Sequence, residues 1–137
     1  MNYYEAFKQM KDRSFFSSMM VETGDADAMI SGLTRNYQDT IRPAIQIIGT
    51  EEGVKKIAGM YIMLTNKGPL FLADTTVNFN PSSEELADIT LLVAKEVRSF
   101  GIVPRVAMLS YSNFGSSDTA EARLVRDARQ IVKQRNP

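Results

Sequence analysis

Two apolar, β-rich runs, residues 57–65 (Ile-Ala-Gly-Met-Tyr-Ile-Met-Leu-Thr) and 69–77 (Pro-Leu-Phe-Leu-Ala-Asp-Thr-Thr-Val), stand on either side of Asn66-Lys67-Gly68. Strand, tight turn, strand is the signature of an antiparallel hairpin, with Gly in the turn and turn-forming residues at its entry. This pairing constrains the chain more than any other feature, because it places a β element in the middle of a sequence that otherwise reads as helix.

A first helical stretch runs to about Thr23, with Ser14 capping its second half, Phe15, Met19 and Met20 near one face, and Gly24 at its end. Ala28-Met29-Ile30 reads as a short buried strand. A helix is predicted over residues 37–48, where Ile41, Ala44, Ile45 and Ile48 recur at helical spacing and Gly49 stops it. Pro43 must fall in the first turn of that helix or bend it, so its regular part is expected to begin near Asp39 or Thr40. Thr50 is placed to cap a short helical turn reaching Lys56. Ser82 and Glu85 match a capping box for a helix over residues 83–100, striped by Leu86, Ile89, Val93 and Val97 and closed by Gly101. Residues 105–110 read as a second buried strand, and Ala120, Leu124, Ala128 and Ile131 stripe a final helix. The order helix, strand, helix, hairpin, helix, strand, helix predicts an α/β sandwich with a mixed sheet.

Composition narrows the chemistry. The 137 residues suffice for one compact domain, and 16 basic residues balance 16 acidic ones, so no global field draws nucleic acid or an anionic membrane. The sequence has no Cys and no His, which removes disulfides, thiol nucleophiles, the commonest general base and the commonest metal ligand. No metal site is expected. The first eight residues lack the apolar core of a signal peptide, and no run reaches the roughly 20 apolar residues of a membrane span. The cytoplasm is the expected compartment.

Three junctions share one composition: residues 31–36, 74–83 and 110–118 each mix small hydroxyl or amide side chains with Gly or Pro. Ligands of open α/β sheets bind beyond the carboxyl ends of strands, and helix N-termini there offer free N–H groups to anions. The candidate ligand-binding residues are Ser31, Gly32, Thr34, Arg35 and Asn36, then Asn78, then Ser110, Ser112, Asn113, Gly115 and Ser116. Gly32 and Gly115 would let backbone approach a ligand, and Arg35 would pair with phosphate. Taken singly, these residues also read as ordinary caps and turns. Arg42 reads either as a second anion contact or as a surface ion pair with Asp39. Asp74 is a weak candidate general base and equally an Asx-turn residue. Arg123, Arg126 and Arg129, with Asp118, Glu121 and Asp127, read as a solvated helix face carrying ion pairs. No Walker or dinucleotide fingerprint is present.

Pro104-Arg105, Ala107-Met108-Leu109-Ser110-Tyr111-Ser112 and Gly115-Ser116 together resemble the loop motif of phosphate acetyl- and butyryltransferases. The run from Arg42-Pro43 to Ile48 is similar to that family too, as is Ala73-Asp74 followed by Val77-Asn78 and Pro81. More finely, the segments beginning at Ser31, Met60 and Gly68 resemble the phosphotransacetylase-like domain fused to the C-terminus of bacterial NADP-dependent malic enzymes. The resemblance covers about residues 15–132. It implies a three-layer α/β sandwich of the isocitrate/isopropylmalate dehydrogenase-like, phosphotransacetylase type, of which residues 1–137 would be the central portion. A late Ser-Arg-Gly segment with a following Asp, to which the family's acetyl transfer is assigned, is absent from the sequence. The malic-enzyme domain, which holds NADP and a divalent metal, would lie outside this chain, so no cofactor is expected within it.

Three functions follow from that resemblance. The first is a regulatory module that binds acetyl-CoA or an acyl phosphate such as acetyl phosphate and biases a decarboxylating malate oxidoreductase. The second is an active phosphate acetyltransferase moving acetyl between CoA and phosphate, for which Asp74 and the Ser110 loop are the local candidates for base and oxyanion donors. The third is an oligomerisation module, since the family assembles through this domain and a homo-oligomer is expected. An exposed apolar patch over the hairpin or first helix would favour the third, and an open sheet edge invites dimerisation.

Overall fold

The computed structural model describes residues 2–74, 76–113 and 115–136. Thr75, inside the predicted second strand, and Phe114, inside the Ser110 loop, therefore lie outside the described residues. The chain divides into two compact units, Met1–Val54 and Lys55–Pro137.

The first unit is helical: α1 (Tyr3–Gln9), α2 (Arg13–Glu22) and α3 (Tyr37–Ile47). Asn2 and Glu5 close a capping box on α1. The cap of α2 is Asp12, whose carboxylate accepts from the Ser14 backbone N–H at 2.8 Å, so the capping role predicted for Ser14 falls two residues earlier. A carboxylate also suits the positive end of the helix dipole. Ser14 is instead buried inside the helix with Ser18, whose hydroxyl donates to the Ser14 carbonyl at 2.8 Å. These two serines hold the buried face, while Met19 of the predicted apolar stripe is 36% exposed. Small residues on that face let α2 pack against α3. Gly24, at φ 77°, ends α2 as predicted, and the Asp25 N–H reaches back to the Met20 carbonyl at 2.8 Å in a Schellman closure. Helix α3 begins at Tyr37 under an Asn36 cap, so Pro43 lies well inside it and is buried. The ring leaves the Asp39 carbonyl without its usual helical donor, a cost accepted where the proline packs. Residues 28–30, predicted as a strand, are irregular, with Ile30 fully exposed. The short helix expected between Thr50 and Lys56 is a single turn closed by Val54 N–H to the Glu51 carbonyl at 2.9 Å.

The second unit opens with the hairpin, β1 (Met60–Thr65) paired antiparallel to β2 (Gly68–Ala73) in the register Thr65↔Gly68 through Met60↔Ala73. The turn reduces to Asn66-Lys67, with Gly68 at φ 111° heading the second strand. Asp74, at φ 58°, ends the ladder. Helix α4 (Ser83–Ser99) starts on the predicted Ser82/Glu85 capping box, and α5 (Ala120–Arg135) on a Thr119 cap. The buried side chains are Ala87, Ile89, Ala94 and Val97 of α4 and Ala122 and Ala128 of α5, and α4 packs on both α5 and β2. Leu86 and Val93 of the predicted α4 stripe, and Leu124 and Ile131 of α5, are half-buried around it. Phe71 of β2 packs on Phe100, ring centroids 5.7 Å apart, and seats one face of the hairpin beside α4.

Among the described residues the only sheet is this two-stranded hairpin, so the chain is an α/β fold with a small antiparallel sheet. Residues 105–110, predicted as a strand, are irregular, and Val106 and Leu109 are exposed. Their apolar sequence favours extended backbone, but a strand forms only where a neighbour accepts its ladder of hydrogen bonds.

Ile89→Ala is expected to destabilise the chain by about 2–4 kcal/mol, because Ile89 is fully buried and its truncation opens a cavity beside α4, whereas Leu64→Ala is expected to change stability by less than about 0.5 kcal/mol. Urea unfolding of both variants beside the wild type checks the contrast. Comparable losses would mean that the buried side of α4 is not the core.

Candidate functional site

Each unit carries one cleft built from predicted loop residues. In the first unit the cleft has a volume of about 430 Å³ and is lined by residues of α2, of the loop before α3 and of α3 itself. Arg35 Nη1 donates to Asp12 Oδ2 at 2.6 Å, so the arginine expected to meet phosphate already has a carboxylate partner. Arg13 bonds the Thr34 hydroxyl. Asn36 accepts from the Asp39 N–H at 2.9 Å as the α3 cap, and its amide donates to Asp39 Oδ2 at 2.6 Å. Asp39 is thereby occupied, and Arg42 faces the same cleft with no ion pair among the described residues. The surface pair predicted between Arg42 and Asp39 does not form. Ser31 and Gly32 are exposed and line neither this cleft nor that of the second unit.

The second unit holds a larger cleft of about 740 Å³ between the 106–115 segment and α5, with Thr90 of α4 at its base. Ser110, Ser112 and Gly115 form one wall. The opposite wall is α5, presenting Ala122, Arg126, Arg129 and Lys133, which recur at helical spacing on one face. Arg126 is anchored by its bonds to the Ser117 carbonyl at 3.2 Å and Asp118 at 3.5 Å. Arg129 and Lys133 sit one turn apart and have no ion pair among the described residues, leaving two charges directed along the cleft wall. Hydroxyls strap the loop down. The Ser112 N–H donates to Ser110 Oγ at 3.2 Å, the Ser117 N–H to Ser112 Oγ at 3.1 Å, and the Tyr111 hydroxyl bonds Ser117 Oγ at 3.2 Å and the Thr119 hydroxyl. Asn113 accepts from the Ser116 N–H at 2.9 Å through its carbonyl, and both side chains lie outside the cleft.

The middle junction behaves differently. Asn78 donates its amide to the Ile57 carbonyl at 3.0 Å, fastening the segment before β1, and lines neither cleft. Asp74 likewise lines neither; its Oδ1 is buried without a hydrogen-bond partner among the described residues. Arg123, Arg126 and Arg129 are exposed and the first two pair with Asp118, the solvated face with ion pairs that the sequence predicts; Arg126, Arg129 and Lys133 also border the cleft. Their spacing from the buried Ala122 and Ala128 was the available signal. No group of three or more acidic side chains among the described residues is arranged to hold a metal ion, and no helix there is long and apolar enough to cross a membrane.

In this α/β chain a Ser/Gly loop faces a helix that carries three cationic side chains across one cleft. The chain belongs to the phosphate acetyl/butaryl transferase family, whose model matches residues 1–137. It is 42% identical over 133 residues to the phosphate acetyltransferase of Bacillus subtilis, covering 97% of this chain and 41% of that protein. It is 47% identical over 121 residues to the NADP-dependent malic enzyme of Haemophilus influenzae, covering 88% of this chain and 16% of that one. A phosphotransacetylase structure from Streptococcus pyogenes superposes with a TM-score of 0.83 at 36% identity, over 95% of this chain and 40% of that one. The chain thus spans about two fifths of the Bacillus subtilis transferase, under a fifth of other phosphate acetyltransferases it matches, and about a sixth of the malic enzyme.

The Arg35 guanidinium hydrogen-bonded to Asp12 holds that carboxyl below the usual aspartate range, with the Ser14 and Phe15 N–H groups adding to the effect against a smaller desolvation penalty. A carboxyl depressed in the folded state contributes stability above its unfolded pKa and loses it as pH falls through the folded value. The wild type is therefore expected to lose more stability than Asp12→Asn as pH is lowered from 6 through the aspartate range. Parallel urea titrations across that range test this, and identical pH profiles would remove Asp12 from the linkage.

Proposed function

We propose that this chain binds acetyl-CoA or an acyl phosphate as part of a phosphotransacetylase-like domain, and that in its whole protein the domain acts as a regulatory module of an NADP-dependent malic enzyme in the cytoplasm. The observation that carries the binding part is the second-unit cleft. Ser110, Ser112 and Gly115 offer hydroxyls and an unencumbered backbone opposite Arg126, Arg129 and Lys133. Phosphate groups need both, since small groups permit close approach and cations offset charge. The relation to malic enzymes supports the regulatory part. Regulation would follow if the ligand favoured one state of the oxidoreductase over another.

The wider sandwich with a mixed sheet belongs to the same reading. Residues 28–30 and 105–110 would take up strand pairing there, which would shelter Ile30, Val106 and Leu109 from water. A second reading, acyl transfer between CoA and phosphate, is favoured by the 42% identity to a phosphate acetyltransferase. Asp74 would be its base, but it lies on neither cleft wall.

Calorimetry of the chain with acetyl-CoA and with acetyl phosphate, beside an assay of CoA release from acetyl-CoA and phosphate, separates the readings. Binding without turnover is expected, with Arg129→Ala and Lys133→Ala each weakening it by roughly 10- to 150-fold, the worth of a charge-assisted contact. Turnover would overturn the regulatory reading. Unchanged affinity in both variants would remove α5 from the site.

A further inference from the structure

We propose that Lys133 is acylated by an acyl phosphate held in the second-unit cleft, so that the chain modifies itself and weakens its own site. The inference rests on the reading that this cleft binds an acyl phosphate, and adds to it a covalent step. Among the described residues Lys133 is the only lysine that lines either cleft. It has no ion pair among them, and neither has Arg129 one helical turn earlier. Lys56, by contrast, is paired with Glu85 at 2.7 Å, and Lys11 lies over the Phe7 ring at 5.3 Å. Residues four apart on a helix stand about 5–6 Å apart at Cβ, so the Lys133 amine and the Arg129 guanidinium border the same stretch of the cleft. Arg126, anchored by the Ser117 carbonyl at 3.2 Å, lines it too. Guanidinium groups engage phosphoryl oxygens two at a time. The acyl carbon of an acyl phosphate is one bridging oxygen from the phosphorus. A phosphoryl group seated on the two arginines therefore brings that carbon within reach of the lysine.

The step balances without an oxidant or reductant. Lys133, as its free base, attacks the carbonyl carbon and forms an N–C bond. The C–O bond to the phosphoryl group breaks, its electron pair leaves with inorganic phosphate, and the surplus proton on nitrogen passes to water. The arginines that seat the phosphoryl group also stabilise the charge of the phosphate as it departs. The hydroxyls of the opposite wall are poorer acyl acceptors. Ser110 Oγ receives the Ser112 N–H at 3.2 Å and Ser112 Oγ the Ser117 N–H at 3.1 Å. A hydroxyl also needs an adjacent base, and among the described residues no carboxylate lines the cleft, in a chain without His. Acylation turns the ammonium into a neutral amide. One of the two uncommitted charges on the wall is then lost, and the next acyl phosphate meets a weaker site.

Incubation of the chain with acetyl phosphate, followed by peptide mass spectrometry, reads acetyl occupancy at each lysine. Lys133 is expected to acetylate at least about tenfold faster than Lys67, an exposed lysine of the hairpin turn, because a bound donor acts at high effective concentration. Its rate is expected to saturate with acetyl phosphate while that at Lys67 rises in proportion, and inorganic phosphate is expected to slow Lys133 alone. Arg129 is exposed, so Arg129→Ala spares the fold, and it is expected to bring the Lys133 rate down to that of Lys67. The acetylated chain is expected to bind acetyl phosphate about tenfold more weakly than the unmodified one. Calorimetry with acetyl phosphate keeps this inference apart from the reading beneath it. Binding without faster reaction at Lys133 overturns the inference and leaves the cleft reading standing, whereas no binding overturns both. A preference for Lys133 that persists in Arg129→Ala, or equal affinity before and after acetylation, also overturns it. So does an equal preference with acetyl-CoA as donor, whose leaving thiolate has no phosphoryl group for the arginines to hold.

Discussion

The packing of α4 against α5 is the contact on which the larger cleft depends. Its centre is alanine: Ala87 and Ala94 on one helix, Ala122 and Ala128 on the other, with Val97 as a larger filler. Small residues at a helix crossing let the axes approach closely and fix rotation about them, because little side-chain volume is available to slip. Rotation matters here. With Ala122 and Ala128 committed to the seam, the adjoining face of α5 has to carry Arg126, Arg129 and Lys133 along the cleft beside residues 106–115. The cationic wall is thus the neighbour of the buried one, and packing errors in the seam would redirect the charges.

The loop opposite is held by a different means. None of its described residues is a buried apolar side chain; short-range bonds link Ser110, Tyr111, Ser112, Ser117 and Thr119, ending at the cap of α5. Hydroxyls suit this, because each can donate and accept and so close a chain of bonds without a charge. The Ser and Thr residues that give the segment its ligand-like composition are in part structural. Ser112 both lines the cleft and receives the Ser117 N–H at 3.1 Å.

Local signals were the legible ones. The hairpin, the Ser82/Glu85 capping box and the Gly24 and Gly101 stops depend on a few neighbouring residues, and each stands where the residues direct it. Ser14 failed as a cap because Asp12, two residues earlier, offers a carboxylate to the same helix end. Pro43 sits deeper in α3 than its chemistry alone advises, since burial against α2 compensates for the lost bond. Residues 28–30 and 105–110 have strand composition, but pairing is decided by a partner that no local pattern specifies. The site divided along the same line. The loop residues around Ser110 and Thr34 were visible as a composition, whereas Arg35's engagement with Asp12 is a contact across 23 positions and could not be read from spacing.

Asp12 serves two structures at once, as the first-turn cap of α2 and as the anchor of Arg35. Fraying of that helix end and release of the loop before α3 are consequently not separate events. Any excursion that unwinds the first turn of α2 swings the carboxylate away and frees the guanidinium, and any anion that captures Arg35 returns a bare carboxylate to the cap. The two segments are coupled through one carboxylate, so the loop's dwell time in place depends on the stability of the helix terminus that Asp12 caps.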